Sequence, residues 1–271
     1  MTIQDDCPPG RLVKFNPRLP SSARVTAYWL GGKDALEADR AEADRVSTVA
    51  FEVPNMLRAH RDFLCRAVEF LARRGIDQFI EIGCGLPAPR HNVHQVARTA
   101  SPDAVVVYTD VDEQVLAHAR ALLGSDDGVY VAFGDLRRPG ELMDAAGRYL
   151  DLRRPVGLLA VSVMHFISDD QDPAGIVHTL MGRAAQGSHL VVSQVMPGGN
   201  MPLANAGYRV SSGRMVLRDV EQVRPWLAGL EVVEPGLVLV NQWRLFDDRP
   251  AYVDFDPAMP AWVLGAAAKK P

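Results

Sequence analysis

Residues 78–87 read QFIEIGCGLP, and the fold follows from this stretch. Phe79, Ile80 and Ile82 form a short apolar run suited to a buried strand, closed by a tight turn at Gly83 and Gly85. Glycines at such a turn let a ligand approach the backbone. Asn92-Val93-His94-Gln95-Val96-Ala97 then has the polar-to-apolar start of a helix. Strand, glycine turn and helix in that order open a doubly wound α/β sheet and its nucleotide site. Glu81 is the unusual residue. A carboxylate near the end of a buried strand is costly unless a cation or hydrogen-bond donors meet it. A dinucleotide pyrophosphate would favour an apolar residue there. A cofactor carrying an ammonium favours an acid, which points to S-adenosylmethionine.

Upstream, residues 55–74 fit one helix, with Leu57, Phe63, Leu64, Ala67, Val68 and Leu71 on a broad apolar face and Gly75 at its end. Arg61 on this helix is the cation chosen to meet a cofactor carboxylate. Ser21 and Ser22 can cap a helix from Ala23 that ends at Gly31-Gly32, and Asp34 can cap a second one running to about Thr48. The Gly31–Asp34 corner has two readings: a plain turn with an exposed lysine, or a lid presenting Tyr28 and Lys33 to the cofactor. Its Gly-Gly-Lys lacks both a preceding strand and the spacing of a phosphate-binding loop, which excludes an NTPase. Residues 1–20 hold four of the 19 prolines and read as an irregular arm. The expected organisation is an arm and helical lid over 1–54 and a sheet domain over 55–271.

Downstream, Ala104–Thr109 is a continuous apolar strand ending at Asp110, which lies 25 residues beyond Gly85. An acid there, close to the roughly 20-residue offset of such folds, is placed to accept from ribose hydroxyls. Asp112 sits where it can cap the helix Glu113–Leu123. Gly128–Phe133 is a third strand, followed by Asp135, either a turn residue or an acceptor for an adenine amino group. Pro139–Leu150 reads as a helix and Pro155–Val163 as a fourth strand. Ser162, near that strand's end, and Cys84, in the first glycine turn, join the expected cofactor contacts. His165 follows, either a general base or a histidine satisfied inside the core. The acidic run 168–172 suits helix capping by Asp172-Pro173 better than metal binding. A fifth strand spans 188–195, one helix is expected over 217–230, and two closing strands flank Pro235-Gly236. Trp262-Val263-Leu264 is expected at an edge and the tail GAAAKKP frayed.

With 271 residues, 48% of them hydrophobic, and a net charge of −4, the chain can bury a large core and has no basic footprint for nucleic acid. Three widely spaced cysteines exclude a disulfide framework. With no leader and no long apolar span evident, a cytoplasmic protein without a membrane is expected. The expected partner is a small-molecule acceptor, with a homodimer left open.

Several stretches resemble one bacterial family of S-adenosylmethionine-dependent methyltransferases, formerly described as a domain of unknown function. They are PSSARVTAYWLGGKDALEADR (20–40), RDFLCRAVEFLARRGIDQFIEIGCGLP (61–87), NVHQVAR (92–98), VVYTDVDEQVLAHARALL (106–123), VMHFISDDQDPAGIV (163–177) and GSHLVVSQV (187–195). The resemblance implies a mostly parallel, seven-stranded Rossmann-like sheet with helices on both faces and an amino-terminal helical segment closing the pocket. It implies that Glu81 holds the methionine ammonium through water, with the methionine lying on Gly83 and Gly85. Asp110 would take the ribose, with Val111 against adenine; Asp135 would take the adenine amino group, with Leu136 beside it. The run Ala88–His91 departs from the family pattern.

The chemistry implied is in-line attack of an acceptor atom on a sulfonium methyl, largely by positioning. His165, Tyr28 and Lys33, in that order, are the candidate bases for an oxygen or nitrogen acceptor. Two alternatives stay open: a nicotinamide oxidoreductase, since GCGLPA also fits G-x-G-x-x-A, and a non-catalytic S-adenosylmethionine-binding protein.

Overall fold

The computed structural model describes residues 16–208, 210, 213–245 and 251–271. Most of the expected amino-terminal arm lies outside the described residues. The chain then runs through α1 (Ser22–Trp29), α2 (Glu37–Val49), α3 (Val53–Ala72), β1 (Gln78–Ile82) and α4 (Val93–Ala97). Next come β2 (Val105–Asp110), α5 (Glu113–Leu123), β3 (Val129–Phe133), α6 (Pro139–Ala146) and β4 (Gly157–Ala160). It closes with α7 (Pro173–Arg183), β5 (His189–Val195), α8 (Met201–Gly207), α9 (Val220–Val223), β6 (Glu231–Val232), β7 (Val238–Leu239) and β8 (Val263–Lys269).

The strands form one sheet in the order β3-β2-β1-β4-β5-β8-β6, with β7 also paired to β8. The first five are parallel, and β8 runs antiparallel to β5. This is the mostly parallel, Rossmann-like arrangement expected, with eight strands where seven were counted. Strand alternation assigns each side chain to one of two cores. Phe79, Val106, Tyr108 and Leu159 pack with α3 and α4 on one face. Ile80, Ile82, Val107, Leu158 and Ala160 pack with α6 and α7 on the other. Glu81 shares the parity of Phe79 and so turns toward α3. Val25 and Trp29 of α1 and Ala43 and Val46 of α2 belong to the α3-side core.

The carboxyl-terminal part corrects the sequence reading. The tail is not frayed, and Trp262–Leu264 leads into no edge. Val263–Lys269 is an internal strand, paired along its whole length with β5 and on its other side with β6 and β7. Small residues make this strand useful: a Cβ on Gly265 would lie 2.8 Å from Phe63 of α3 and 2.9 Å from Val240. The tail's run of alanines reads as featureless in sequence because its packing value depends on the helix lying across it. The single helix expected over 217–230 is instead α9 followed by a 3-10 turn at Arg224–Leu227. Pro225 lacks the N–H that would continue the ladder. Its expected apolar face survives, with Val223, Trp226 and Leu227 buried against the second core.

Asp172 caps α7 by accepting from the Gly175 amide at 3.0 Å, with Pro173 in the first turn. Asp112 likewise caps α5 through the Gln114 amide at 2.9 Å. Gly265→Ala should destabilise the protein by about 1–3 kcal/mol through overpacking against Phe63. Urea unfolding followed by circular dichroism measures this, and an unchanged midpoint would show that α3 can give way.

Candidate functional site

In a doubly wound sheet, ligands bind beyond the carboxyl ends of the strands where the order reverses, here between β1 and β4. A cavity of about 930 Å³ lies there. Its wall includes the turns after β1, β2 and β3, the segments after β4 and β5, and the inner faces of α1 and α3. Of the residues singled out from sequence, Arg61, Glu81, Gly83, Cys84, Gly85, Asp110, Val111, Asp135, Leu136, Ser162, His165 and Lys33 all line it. Tyr28 does not. It packs against the α3-side core, one position from the wall-forming Ala27.

Glu81 is 5% exposed, and its Oε1 lies 3.5 Å from Nη1 of Arg61. At that separation the contact is weak. Burial raises the Glu81 carboxyl to about 7, against the opposing pull of Arg61. Arg61 is held from behind, its Nη2 donating to the His91 carbonyl at 3.0 Å, while its Nε is buried with no partner. The run 88–91 that departs from the family pattern thus supplies the carbonyl that orients this guanidinium.

The glycine turn takes left-handed backbone at both positions, φ 67° at Gly83 and 64° at Gly85. A Cβ on Gly83 would meet Val163 at 2.8 Å, whereas one on Gly85 would stand in open space. Gly83 is therefore needed for packing against the segment after β4, and Gly85 for the shape of the loop. The Gly85 amide donates to Asp110 Oδ2 at 3.1 Å, and the Asp112 amide to Oδ1 at 2.9 Å. Burial raises the Asp110 carboxyl while these amides oppose the rise. Val111, 44% exposed, presents an apolar surface beside it. Asp135 is bound by Arg137 through two side-chain contacts of 2.8 Å and one backbone contact of 2.9 Å. Burial raises its carboxyl, but Arg137 outweighs that and lowers it overall.

His165 is 4% exposed, and burial lowers its imidazole to about 3. It is neutral at pH 7 and a weak base. Its Nδ1 is buried without a partner. Sequence reasoning missed His60, which lines the same cavity from α3. His60 Nε2 lies 2.6 Å from Ser193 Oγ, which also accepts from the Ser162 amide at 2.9 Å. Ser162 has φ 65°, strained for a residue with a side chain. Only the parity of Ser193 in its strand and the inward face of His60 could have signalled this network.

Among the described residues, no group of three or more His, Cys, Asp or Glu is placed to hold a metal, and no helix is long and apolar enough to cross a membrane.

A family model described as S-adenosyl methyltransferase matches residues 13–270. The chain belongs to the S-adenosyl methyltransferase family. Solved structures agree. A DUF574 family protein from Streptomyces avermitilis is 33% identical, with a TM-score of 0.84 over 93% of this chain and 98% of its own. A putative methyltransferase from Thermobifida fusca is 32% identical, with a TM-score of 0.84 over 93% of this chain and 96% of its own. A comparison with curated proteins finds no match. The protein is an S-adenosylmethionine-dependent methyltransferase, which decides between the two enzyme readings of the glycine turn. The cavity has what this cofactor requires: open space at Gly85, a buried carboxylate beside a cation, and acids after the second and third strands.

The helical segment over the cavity is fastened by one buried group. Asp39, fully buried, accepts from the Ser21 amide at 2.8 Å, the Leu36 amide at 2.8 Å and Arg24 Nε at 2.6 Å. Arg24 also reaches across to α5, where its Nη1 donates to Gln114 Oε1 at 2.8 Å. Asp39→Ala strands a buried guanidinium and two amides, a loss of about 3–5 kcal/mol by analogy with broken buried pairs. Chemical denaturation measures it, and a loss below about 1 kcal/mol would show the segment held mainly by its apolar contacts.

Proposed function

We propose that this methyltransferase alkylates an oxygen or nitrogen atom of a small molecule. The observation that carries this reading is the division of the cavity. Glu81, Asp110 and Asp135 stand at the ends of β1, β2 and β3, Arg24, Lys33 and Asp34 line it from the helical segment, and a largely apolar portion continues past β4 and β5. A concave, mostly apolar recess suits a small molecule better than a polymer.

S-adenosylmethionine supplies an electrophilic methyl on a sulfonium. The residues of this chain bind and orient the reactants. Glu81 and Arg61, side by side, match the ammonium and carboxylate of an amino acid. Asp110 retains acceptor capacity for ribose hydroxyls beyond its two amide bonds, and Val111 and Leu136 offer apolar surfaces for adenine. Asp135, fixed by Arg137, keeps lone-pair capacity for an amino group. The cover formed by α1 shields part of the site from bulk water, which strengthens the electrostatic contacts of positioned groups. With His165 neutral and buried and Tyr28 outside the wall, neither is suited to abstract a proton. Lys33 is the candidate that remains at the mouth. Positioning is the main catalytic device.

Calorimetric titration with S-adenosylmethionine, S-adenosylhomocysteine and NAD tests the site. Micromolar binding of the first two, lost in Asp110→Ala, is expected; binding of NAD alone would overturn the reading.

The raised Glu81 carboxyl makes that binding pH-dependent. Above about pH 7 the group is ionised and meets the ammonium; below it, each binding event must first expel a proton. Affinity for S-adenosylmethionine should therefore fall about eightfold from about pH 7.5 to about pH 6. In Glu81→Gln, affinity should be weaker by roughly 10–100-fold at the higher pH, with the slope abolished. An identical slope in the variant would assign the titration elsewhere.

A further inference from the structure

The half of the cavity beyond β4 and β5 has its own chemistry. Met56 and His60 of α3, Met201 of α8, Phe166, Tyr208 and Met215 contribute to its wall. None carries a formal charge when His60 is neutral, and burial keeps it so, lowering its imidazole to about 4. The whole cavity, about 930 Å³, is at the upper end of the roughly 300–1,000 Å³ typical of small-molecule sites, so it has room for a second occupant beside the cofactor. Three methionines and two aromatic rings form an adaptable surface for flat rings, through sulfur–aromatic and edge contacts.

One polar group in this wall, His60, is backed by a buried hydroxyl. Ser193 is 1% exposed, and its Oγ already accepts from the Ser162 amide. Its hydroxyl hydrogen needs an acceptor, and His60 Nε2 lies 2.6 Å away. With Nε2 accepting, the neutral ring carries its proton on Nδ1. The chain Ser162–Ser193–His60 thus holds an imidazole N–H donor in an apolar compartment. Burial keeps both rings neutral, and a charge on nearby His60 would further disfavour one on His165.

We propose that this half takes a neutral, hydroxylated aromatic molecule whose hydroxyl oxygen accepts a hydrogen bond from His60 Nδ1. The inference rests on the methyltransferase reading above and narrows its acceptor. Among the described residues named for this half, none offers a charge to an anionic or cationic ring substituent, with Arg61 turned to Glu81 and the His91 carbonyl and Lys33 at the mouth. In the reaction, a lone pair of the hydroxyl oxygen forms the new C–O bond. The methyl–sulfur bond breaks with its pair left on sulfur, and the hydroxyl proton passes to water. The products are an aryl methyl ether and S-adenosylhomocysteine.

The test is equilibrium binding of 2-naphthol, 2-naphthoate and naphthalene to the full chain saturated with S-adenosylhomocysteine, read by naphthalene fluorescence. 2-Naphthol should bind about tenfold more tightly than either relative, the factor of one well-made buried hydrogen bond. His60→Ala should remove its advantage over naphthalene while leaving S-adenosylhomocysteine affinity within about twofold. Should that variant not fold, Ser193→Ala, which frees the ring proton to either nitrogen, should weaken 2-naphthol several-fold, by about the loss of one hydrogen bond, and leave naphthalene unchanged. Naphthoate binding as tightly as naphthol, no naphthol binding, or an advantage that survives both substitutions would overturn the inference alone. Failure of the wild-type chain to bind S-adenosylhomocysteine would overturn the functional reading and this inference with it.

Discussion

A carboxylate buried at the end of the central strand constrains much of what surrounds it. Glu81 lies in a strand flanked on both sides and keeps only 5% of its surface, a costly position for a charge. Arg61 offsets part of that cost at 3.5 Å, but the carboxyl still titrates near 7. The structure therefore holds an acid that is incompletely satisfied and faces a cavity. Strand parity turns it toward α3, and α3 must in turn present Arg61 at that level. The His91 carbonyl, in a loop with left-handed backbone, then fixes the guanidinium. A group left this poorly neutralised by its own protein is suited to a cationic ligand.

The same site explains what could be read from the sequence. Glu81, Gly83, Gly85, Asp110 and Asp135 each stand at the end of a strand or in the turn after it, so period-two patterning and turn chemistry suffice to find them. Once the parallel order is inferred, the strand ends gather on one edge of the sheet. The amino-terminal helices and the Gly31-Gly32 corner were legible for the same local reason. What was not legible depends on contacts between distant segments. The alanine-rich tail becomes an internal strand by pairing with β5, β6 and β7, and its Gly265 leaves room for Phe63 of α3. His60 matters because Ser193, 133 residues away, meets its ring. Tyr28 was chosen for its chemistry, but one residue of helical rotation carries it off the wall.

The cover over the cavity illustrates a second kind of long-range dependence. Asp39 organises α1 and the turn before α2 by accepting from two amides and a guanidinium, so a short acidic helix is fastened by an inward-facing charge. Arg24 completes the arrangement by bonding to Gln114 at the start of α5. That helix follows directly on Asp110, whose carboxylate is fixed by the Gly85 and Asp112 amides. Cover, second strand and first turn are thus linked through four side chains. Displacement of α1 would disturb the geometry of the β2 end as well as expose the cavity.

The two halves of the cavity are also built from different kinds of contact. On the β1–β3 side, polar atoms are tied to backbone amides and to Arg137, which suits a ligand of fixed shape. On the β4–β5 side the wall includes three methionines, Met56, Met201 and Met215, whose unbranched side chains can repack around ligands of different outline. The Ser162–Ser193–His60 chain adds a directional element there: Ser162, at φ 65°, aims its amide at the buried Ser193 hydroxyl, which in turn meets the His60 ring. One half of the site therefore presents many fixed polar groups, and the other a largely apolar surface with few polar groups, so substitution of apolar residues in the second half would leave the polar groups of the first in place.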